Sequence, residues 1–104
     1  MKKKILIGSE DNGGGNSLVN CIKKFQTDGK LDVVTAALGP SAEIFRSNNF
    51  LNYQLAEIYP DIRRVIETEK PDFVLTGSSA YSKTDKNLVF QANYRSIPCV
   101  SVLD

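Results

Sequence analysis

The feature that most constrains this chain is a change of hydrophobic period, repeated from one end to the other. Short apolar runs alternate with stretches whose apolar residues return every three or four positions. The runs suit strands buried on both faces, and the longer stretches suit helices with one apolar stripe. Strands and helices alternating in this way build βαβ units around a parallel sheet.

The pattern can be followed residue by residue. Lys4-Ile5-Leu6-Ile7-Gly8 predicts the first strand. Leu18, Cys21, Ile22 and Phe25 fall at i, i+3, i+4 and i+7 and give a helix one apolar face. Ser17 or Asn16 is the expected cap of that helix, and Asp28-Gly29 its end. Residues 31–38 predict the second strand, centred on Val33 and Val34. Gly39-Pro40-Ser41 opens a second helix with Ser41 as cap and Ile44-Phe45 as its buried side. A short third strand is expected at 53–57, with a helical continuation as the alternative. Pro60 suits the first turn of a third helix, where its missing N–H costs nothing. Ile62, Val65 and Ile66 supply that helix's inner face, and Lys70-Pro71-Asp72 breaks it. Phe73-Val74-Leu75-Thr76 predicts the fourth strand. Thr84 is the expected cap of a fourth helix carrying Leu88, Val89 and Ala92, before a last strand at 99–103.

These elements predict an α/β fold: a three-layer, Rossmann-like parallel sheet of five strands in the order 3-2-1-4-5, with helices on both faces. Right-handed crossovers are assumed, as for nearly all such units. Residues 1–104 form one domain with a modest core in this reading, without linker, repeat or low-complexity segment.

Composition excludes several classes. A formal net charge of +1 gives no argument for nucleic acid, and Lys2-Lys3-Lys4 reads as a solvated entry to a strand. Tyr53, Tyr59, Tyr81 and Tyr94 are spread over different elements and form no stacking platform. No apolar stretch reaches the ~18 residues of a membrane span, and the first apolar run is too short for a signal peptide, so the expected location is cytoplasmic. Cys21 and Cys99 form no C-x-x-C pair and are expected to be buried, reduced thiols. The chain has no histidine. That removes a self-contained Ser-His-Asp or Cys-His set and the usual imidazole zinc site, so no metal is expected.

Two loops face each other at the switch point between strands 1 and 4, where ligands bind in open α/β sheets. The first runs from Ser9 through Glu10, Asp11 and Asn12 to Gly13-Gly14-Gly15-Asn16-Ser17. The second runs from Gly77-Ser78-Ser79 to Thr84-Asp85. Bare backbone N–H groups at a helix start favour anions, yet the standard phosphate motifs fail. Gly8 and Gly13 have Walker A spacing, but Gly14 stands where lysine is required. Leu18 stands where the third dinucleotide-motif glycine belongs, and Leu38-Gly39-Pro40 leaves no acidic residue for a ribose. No nicotinamide or other cofactor is therefore expected.

Glu10 and Asp11 would repel a phosphate but accept a sugar or alcohol O–H, and either can serve as a general base. The same residues also make an ordinary solvated turn. Gly77, Ser78 and Ser79 offer backbone N–H groups and hydroxyls to a ligand, or simply a compact βα turn. The candidate catalytic residues are thus Glu10 and Asp11. The candidate ligand-binding residues are Gly13, Gly14, Gly15, Asn16, Gly77, Ser78 and Ser79.

The chain resembles the N-terminal domain of GT-B glycosyltransferases and related nucleotide-sugar epimerases. The likeness rests on Ile5-Leu6-Ile7-Gly8 with its glycine-rich loop, on the stretch from Ala37-Leu38-Gly39-Pro40 to Phe45, and on Lys70-Pro71-Asp72 through Gly77-Ser78-Ser79. The end, Ser101-Val102-Leu103-Asp104, also resembles that family's fifth strand. The resemblance implies an acceptor-binding N-terminal domain, with a C-terminal domain gripping a nucleotide-sugar donor across a cleft. It places Gly13, Gly14 and Gly15 along the cleft, Glu10 or Asp11 at the acceptor-activating base, and Ser78 and Ser79 against ligand. The family often carries a histidine in the first loop, and this chain has none.

Other classes fit less well. A phosphotransfer IIB-type subunit needs a cysteine directly after strand 1, whereas Cys21 falls within a helix. The N-terminal domain of an ATP-grasp ligase, or a stand-alone module binding a small polar ligand or a protein, remain alternatives. The run from Ile97 to Asp104 reads as a strand ending where a switch-point site would be completed. The expectation is the N-terminal half of a larger two-domain enzyme, inactive alone, whose partners are a nucleotide-sugar, an acceptor and a missing C-terminal domain or partner subunit. The unpaired edge of the last strand, blunted by Pro98, also admits a homo-oligomer.

Overall fold

A computed structural model of the chain describes residues 2–55, 60–77 and 83–102. The elements run β1 (Lys3–Ser9), α1 (Asn12–Asp28), β2 (Leu31–Ala37), α2 (Gly39–Ser47), β3 (Tyr53–Gln54), α3 (Pro60–Glu69), β4 (Phe73–Gly77), α4 (Lys83–Tyr94) and β5 (Cys99–Val102). The five strands form one sheet in the order β3-β2-β1-β4-β5, and every pairing is parallel. This is the predicted α/β topology.

The sheet separates two apolar layers because successive strand side chains point to opposite faces. Ile5, Ile7 and Leu75 pack with Leu18 and Ile22 of α1 and with Ala42 and Phe45 of α2. Leu6 and Val74 pack with Ile62, Val65 and Ile66 of α3 and with Leu88 and Ala92 of α4. Phe45, Leu6, Ile7, Leu18, Ile22, Ile66 and Leu88 are fully buried, each worth about 1.5–3 kcal/mol of transfer free energy. The order reverses at β1, whose neighbours are β2 and β4, and this puts the switch point between β1 and β4.

Several boundaries differ from the sequence reading, each for a physical reason. Neither Asn16 nor Ser17 caps α1. The helix starts at Asn12, with Asp11 extended at the cap position and making no side-chain capping bond. Glycine disfavours a helix interior by about 1 kcal/mol relative to alanine, but here close packing decides. A β-carbon on Gly15 would stand 2.7 Å from Ser41 Oγ and 3.1 Å from Ile44 Cδ1, so only glycine lets α1 lie this close to α2. The far end of α1 falls as predicted: Gly29 is left-handed (φ 69°), and its N–H donates to the Phe25 carbonyl.

Ser41 does not cap α2, because Leu38 holds that position. Ser41 is buried inside the first turn, and its hydroxyl donates to the Asp11 carbonyl at 2.7 Å. Thr84 likewise lies inside α4, which begins at Lys83. The third strand shrinks to Tyr53–Gln54; of its predicted span Leu55 is buried but not in the strand, and 56 and 57 lie outside the described residues. What ties that edge to β2 is largely side chain. Thr35 N–H donates to Asn52 Oδ1 (2.8 Å), Asn52 N–H donates to Thr35 Oγ1 (2.9 Å), and the Thr35 hydroxyl also meets the Phe50 carbonyl.

Lys4 is not merely solvated, since its ammonium pairs with Glu69 at 3.0 Å. Cys21 and Cys99 are free, but both are half-buried rather than buried. No helix among the described residues is long and apolar enough to cross a membrane.

Candidate functional site

The carboxyl ends of β1 and β4 meet the first turns of α1, α2 and α4. The chain leaving β1 is fixed by backbone bonds: Leu38 N–H donates to the Ser9 carbonyl (3.2 Å), and Ser41 N–H donates to the Glu10 carbonyl (2.9 Å). Asp11 closes the first bond of α1 by accepting from Gly15 N–H at 2.9 Å. Glu10 and Asp11 are therefore held on a rigid βα corner, both half-buried.

Their side chains have different surroundings. The Glu10 carboxylate reaches across the switch point, where Thr84 N–H of α4 approaches its Oε1 at 3.4 Å. A carboxylate at a helix start is favoured by the unsatisfied N–H groups and the helix dipole. Asp11 makes no such bond to its own helix. The two loops predicted to face each other are thus joined through Glu10.

The glycines divide by role. Gly13 is exposed at the start of α1, while Gly14 is buried beneath it and Gly15 is buried against α2. Asn16 is exposed, one turn into the helix. Gly77, the last residue of β4, sits at the tightest point. A β-carbon there would lie 2.9 Å from Asp85 Oδ2, 3.1 Å from Ser9 Oγ and 3.3 Å from Gly14 Cα. Ser78 and Ser79 lie outside the described residues.

Sequence reasoning passed over Ser9 and Asp85 as individual candidates. Both are buried, at 0% and 3% exposure, and both flank Gly77. Ser9 Oγ has no hydrogen-bond partner among the described residues, and a buried polar atom of that kind calls for an explanation. The sequence carried only a partial signal for Asp85, an acidic residue next to the expected helix cap Thr84; its approach to Gly77 comes from the fold. Ser9, Glu10 and Asp85 together make a switch point rich in hydroxyl and carboxylate oxygen. Such a set accepts hydrogen bonds from ligand hydroxyls and can receive a proton. Among the described residues no group of three or more His, Cys, Asp or Glu side chains is placed to hold a metal.

No protein-family model matches the chain, and no curated protein matches it. Solved structures do. The S. aureus MnaA–UDP co-structure superposes with a TM-score of 0.81 at 18% identity, over 96% of this chain and 29% of that one. A UDP-N-acetylglucosamine 2-epimerase gives 0.79 at 12% identity, over 98% and 33%. A putative UDP-N-acetylglucosamine 2-epimerase from Listeria monocytogenes gives 0.83 at 12% identity, over 98% and 30%. The chain therefore shares its whole fold with these proteins and spans about a third of their length.

Proposed function

We propose that this chain is one domain of a nucleotide-sugar enzyme and that the β1–β4 switch point receives the sugar of its substrate. The observation that carries the reading is the pairing of Glu10 with the start of α4, beside buried Ser9 and Asp85, at the sheet edge where open α/β folds bind ligands. Carboxylate and hydroxyl oxygens suit sugar hydroxyls. They do not suit a diphosphate, which two nearby carboxylates would repel. The nucleotide is then gripped mainly by residues beyond this domain, in keeping with the chain's one-third share of its structural neighbours.

Glu10 and Asp11 are the base candidates. Asp11 makes no capping bond to its own helix; Glu10 accepts from Thr84 N–H through Oε1 and can take a proton on Oε2. Gly13 and Asn16 are exposed at the start of α1 and are candidate ligand contacts; Gly14, Ser78 and Ser79 are candidates from the sequence alone. The names of the structural neighbours favour epimerisation of a uridine-diphosphate sugar. Glycosyl transfer to an acceptor bound at this edge is the second reading, supported by the GT-B resemblance.

The test is turnover of UDP-N-acetylglucosamine. The 104 residues alone should show none, while the two-domain or two-subunit enzyme should be active. In that enzyme Asp11→Asn or Glu10→Gln should lower kcat with folding intact. Robust turnover by this chain alone, or full activity in both variants, contradicts the proposal.

A further inference from the structure

The β3 edge of the sheet carries a groove that the switch point does not use. β3 lies beyond β2 and is separated by it from β1 and β4. The groove runs between β3 and α3 and has a volume of about 290 Å³, at the small end of the ~300–1,000 Å³ typical of small-molecule sites. Leu55 and Val65 line it and are only 4% and 6% exposed. Half-buried Tyr53 joins them. Its hydroxyl is already committed, donating to Glu69, so what Tyr53 has left to offer a ligand is carbon surface.

The polar side of the groove is made of hydrogen-bond donors. Gln54, Arg64 and Thr68 are exposed and complete the lining. Gln54 Oε1 accepts from Arg46, which leaves the amide NH2 to donate. Thr68 follows Arg64 by one helical turn and brings a hydroxyl to the same side of α3. Arg64 differs from every other arginine of the chain. Arg46 is paired with Glu43, and Arg63 and Arg95 are both paired with Glu67. The Arg64 guanidinium has neither an ion pair nor a hydrogen bond among the described residues, and no described carboxylate lines the groove. A planar fork of donors without an acceptor matches a carboxylate, which it can hold through two parallel bonds.

We propose that this groove binds a small monocarboxylate with an apolar body. The body lies on Leu55, Val65 and Tyr53, and the carboxylate meets Arg64 with Gln54 and Thr68 donating beside it. The single free cation and the small volume fit one such molecule, whereas a nucleic acid needs a row of cations along its backbone. A free sugar would set unpaired hydroxyls against Leu55 and Val65, at the cost of their lost hydrogen bonds. The groove shares no residue with the switch point, so this site stands or falls independently of the function proposed there.

The experiment is an amide-resolved NMR titration of the protein with 3-phenylpropionate. Two controls run in parallel: 3-phenylpropanamide, which keeps the apolar body without the charge, and inorganic phosphate, which keeps the charge without the body. The carboxylate should shift the amides of Gln54, Leu55, Arg64 and Thr68 and leave those of Ser9 and Glu10 in place. Each control should bind about tenfold more weakly or worse, the scale set by hydrogen bonds to a charged group. Arg64→Gln should lose the same factor. Arg63→Gln removes equal charge from a paired neighbour and should bind like the parent. Arg64 is exposed and unpaired, so Arg64→Gln should melt with the parent. No shift at these amides, equal binding of either control, equal losses in both variants, or an Arg64→Gln variant that binds like the parent would each overturn the proposal.

Discussion

Asp85 and Gly77 occupy one another's space: the Asp85 carboxylate fills the position that a side chain on Gly77 would take, with Oδ2 2.9 Å from an ideal β-carbon there. The last residue of β4 is glycine because the first turn of α4 presses a buried carboxylate onto the strand end. Ser9 and Gly14 close the same space at 3.1 and 3.3 Å, so the switch point is assembled around a missing side chain.

Gly77→Ala should therefore destabilise the fold by about 1–3 kcal/mol, the usual cost of overpacking a closed interior. Chemical denaturation checks it. Gly29→Asn serves as the comparison, because no atom lies within 4 Å of a β-carbon at Gly29 and its left-handed φ of 69° is one that asparagine tolerates. A Gly77→Ala variant as stable as the parent would mean that α4 does not press on β4 in solution.

Glu10 links β1 to α4, so its removal should be felt at the far helix. Glu10→Ala should cost about 0.5–1 kcal/mol, in the range for a carboxylate at a helix start, and hydrogen exchange of the first amides of α4 should accelerate. Glu10→Gln keeps an oxygen acceptor and should recover part of the loss. Unchanged exchange at Thr84 in Glu10→Ala would break the proposed link between the two loops.

Thr35 is fully buried, and its hydroxyl and N–H are both engaged with the segment that leads into β3. Thr35→Val preserves shape but leaves Asn52 N–H without its acceptor. A loss of about 0.5–1.5 kcal/mol is expected, the net worth of a hydrogen bond, because Asn52 is exposed and water can replace the lost acceptor. Asn52→Ala should add little more in the double variant, since both act on one network.

The Glu69 carboxyl is held below its ordinary value of 4.5, chiefly by the hydrogen bond from the Tyr53 hydroxyl and then by Lys4, with burial opposing both. A group whose folded pKa is lowered stabilises the fold fully above its unfolded pKa, and that stability is lost as pH falls through the folded value. Glu69→Gln should therefore lower stability at neutral pH, and the gap to the parent should close in acid, below the ordinary carboxylate range. A gap that widens in acid would reverse the sign. Cys99 behaves differently: burial pushes its thiol up, so alkylation of Cys99 should be slower than that of a free thiol at the same pH.

The topology was legible because period alone separates strand from helix here. Val74 and Leu75 enter opposite layers, and the sequence shows the same two-sided apolar run. Helix starts were less legible. Asn16, Ser17, Ser41 and Thr84 all have the chemistry of caps, yet each lies inside a helix; for α1 and α2 the close packing of Gly15 on Ser41 outweighs local propensity. The site was half legible for the same reason. Glu10 could be singled out as a carboxylate in a loop, but Ser9 reads as a strand end and Asp85 as a helix surface until the sheet brings them beside Gly77.

The most direct measurement is an amide NMR titration of this chain with UDP-N-acetylglucosamine, against UDP alone. The account predicts that the sugar nucleotide shifts the amides of Ser9, Glu10, Gly14, Gly77 and Thr84, and that UDP alone leaves them nearly unmoved. Equal shifts with UDP alone would contradict the assignment of the switch point to the sugar. No shift at these residues, or shifts confined to another face, would contradict the site itself.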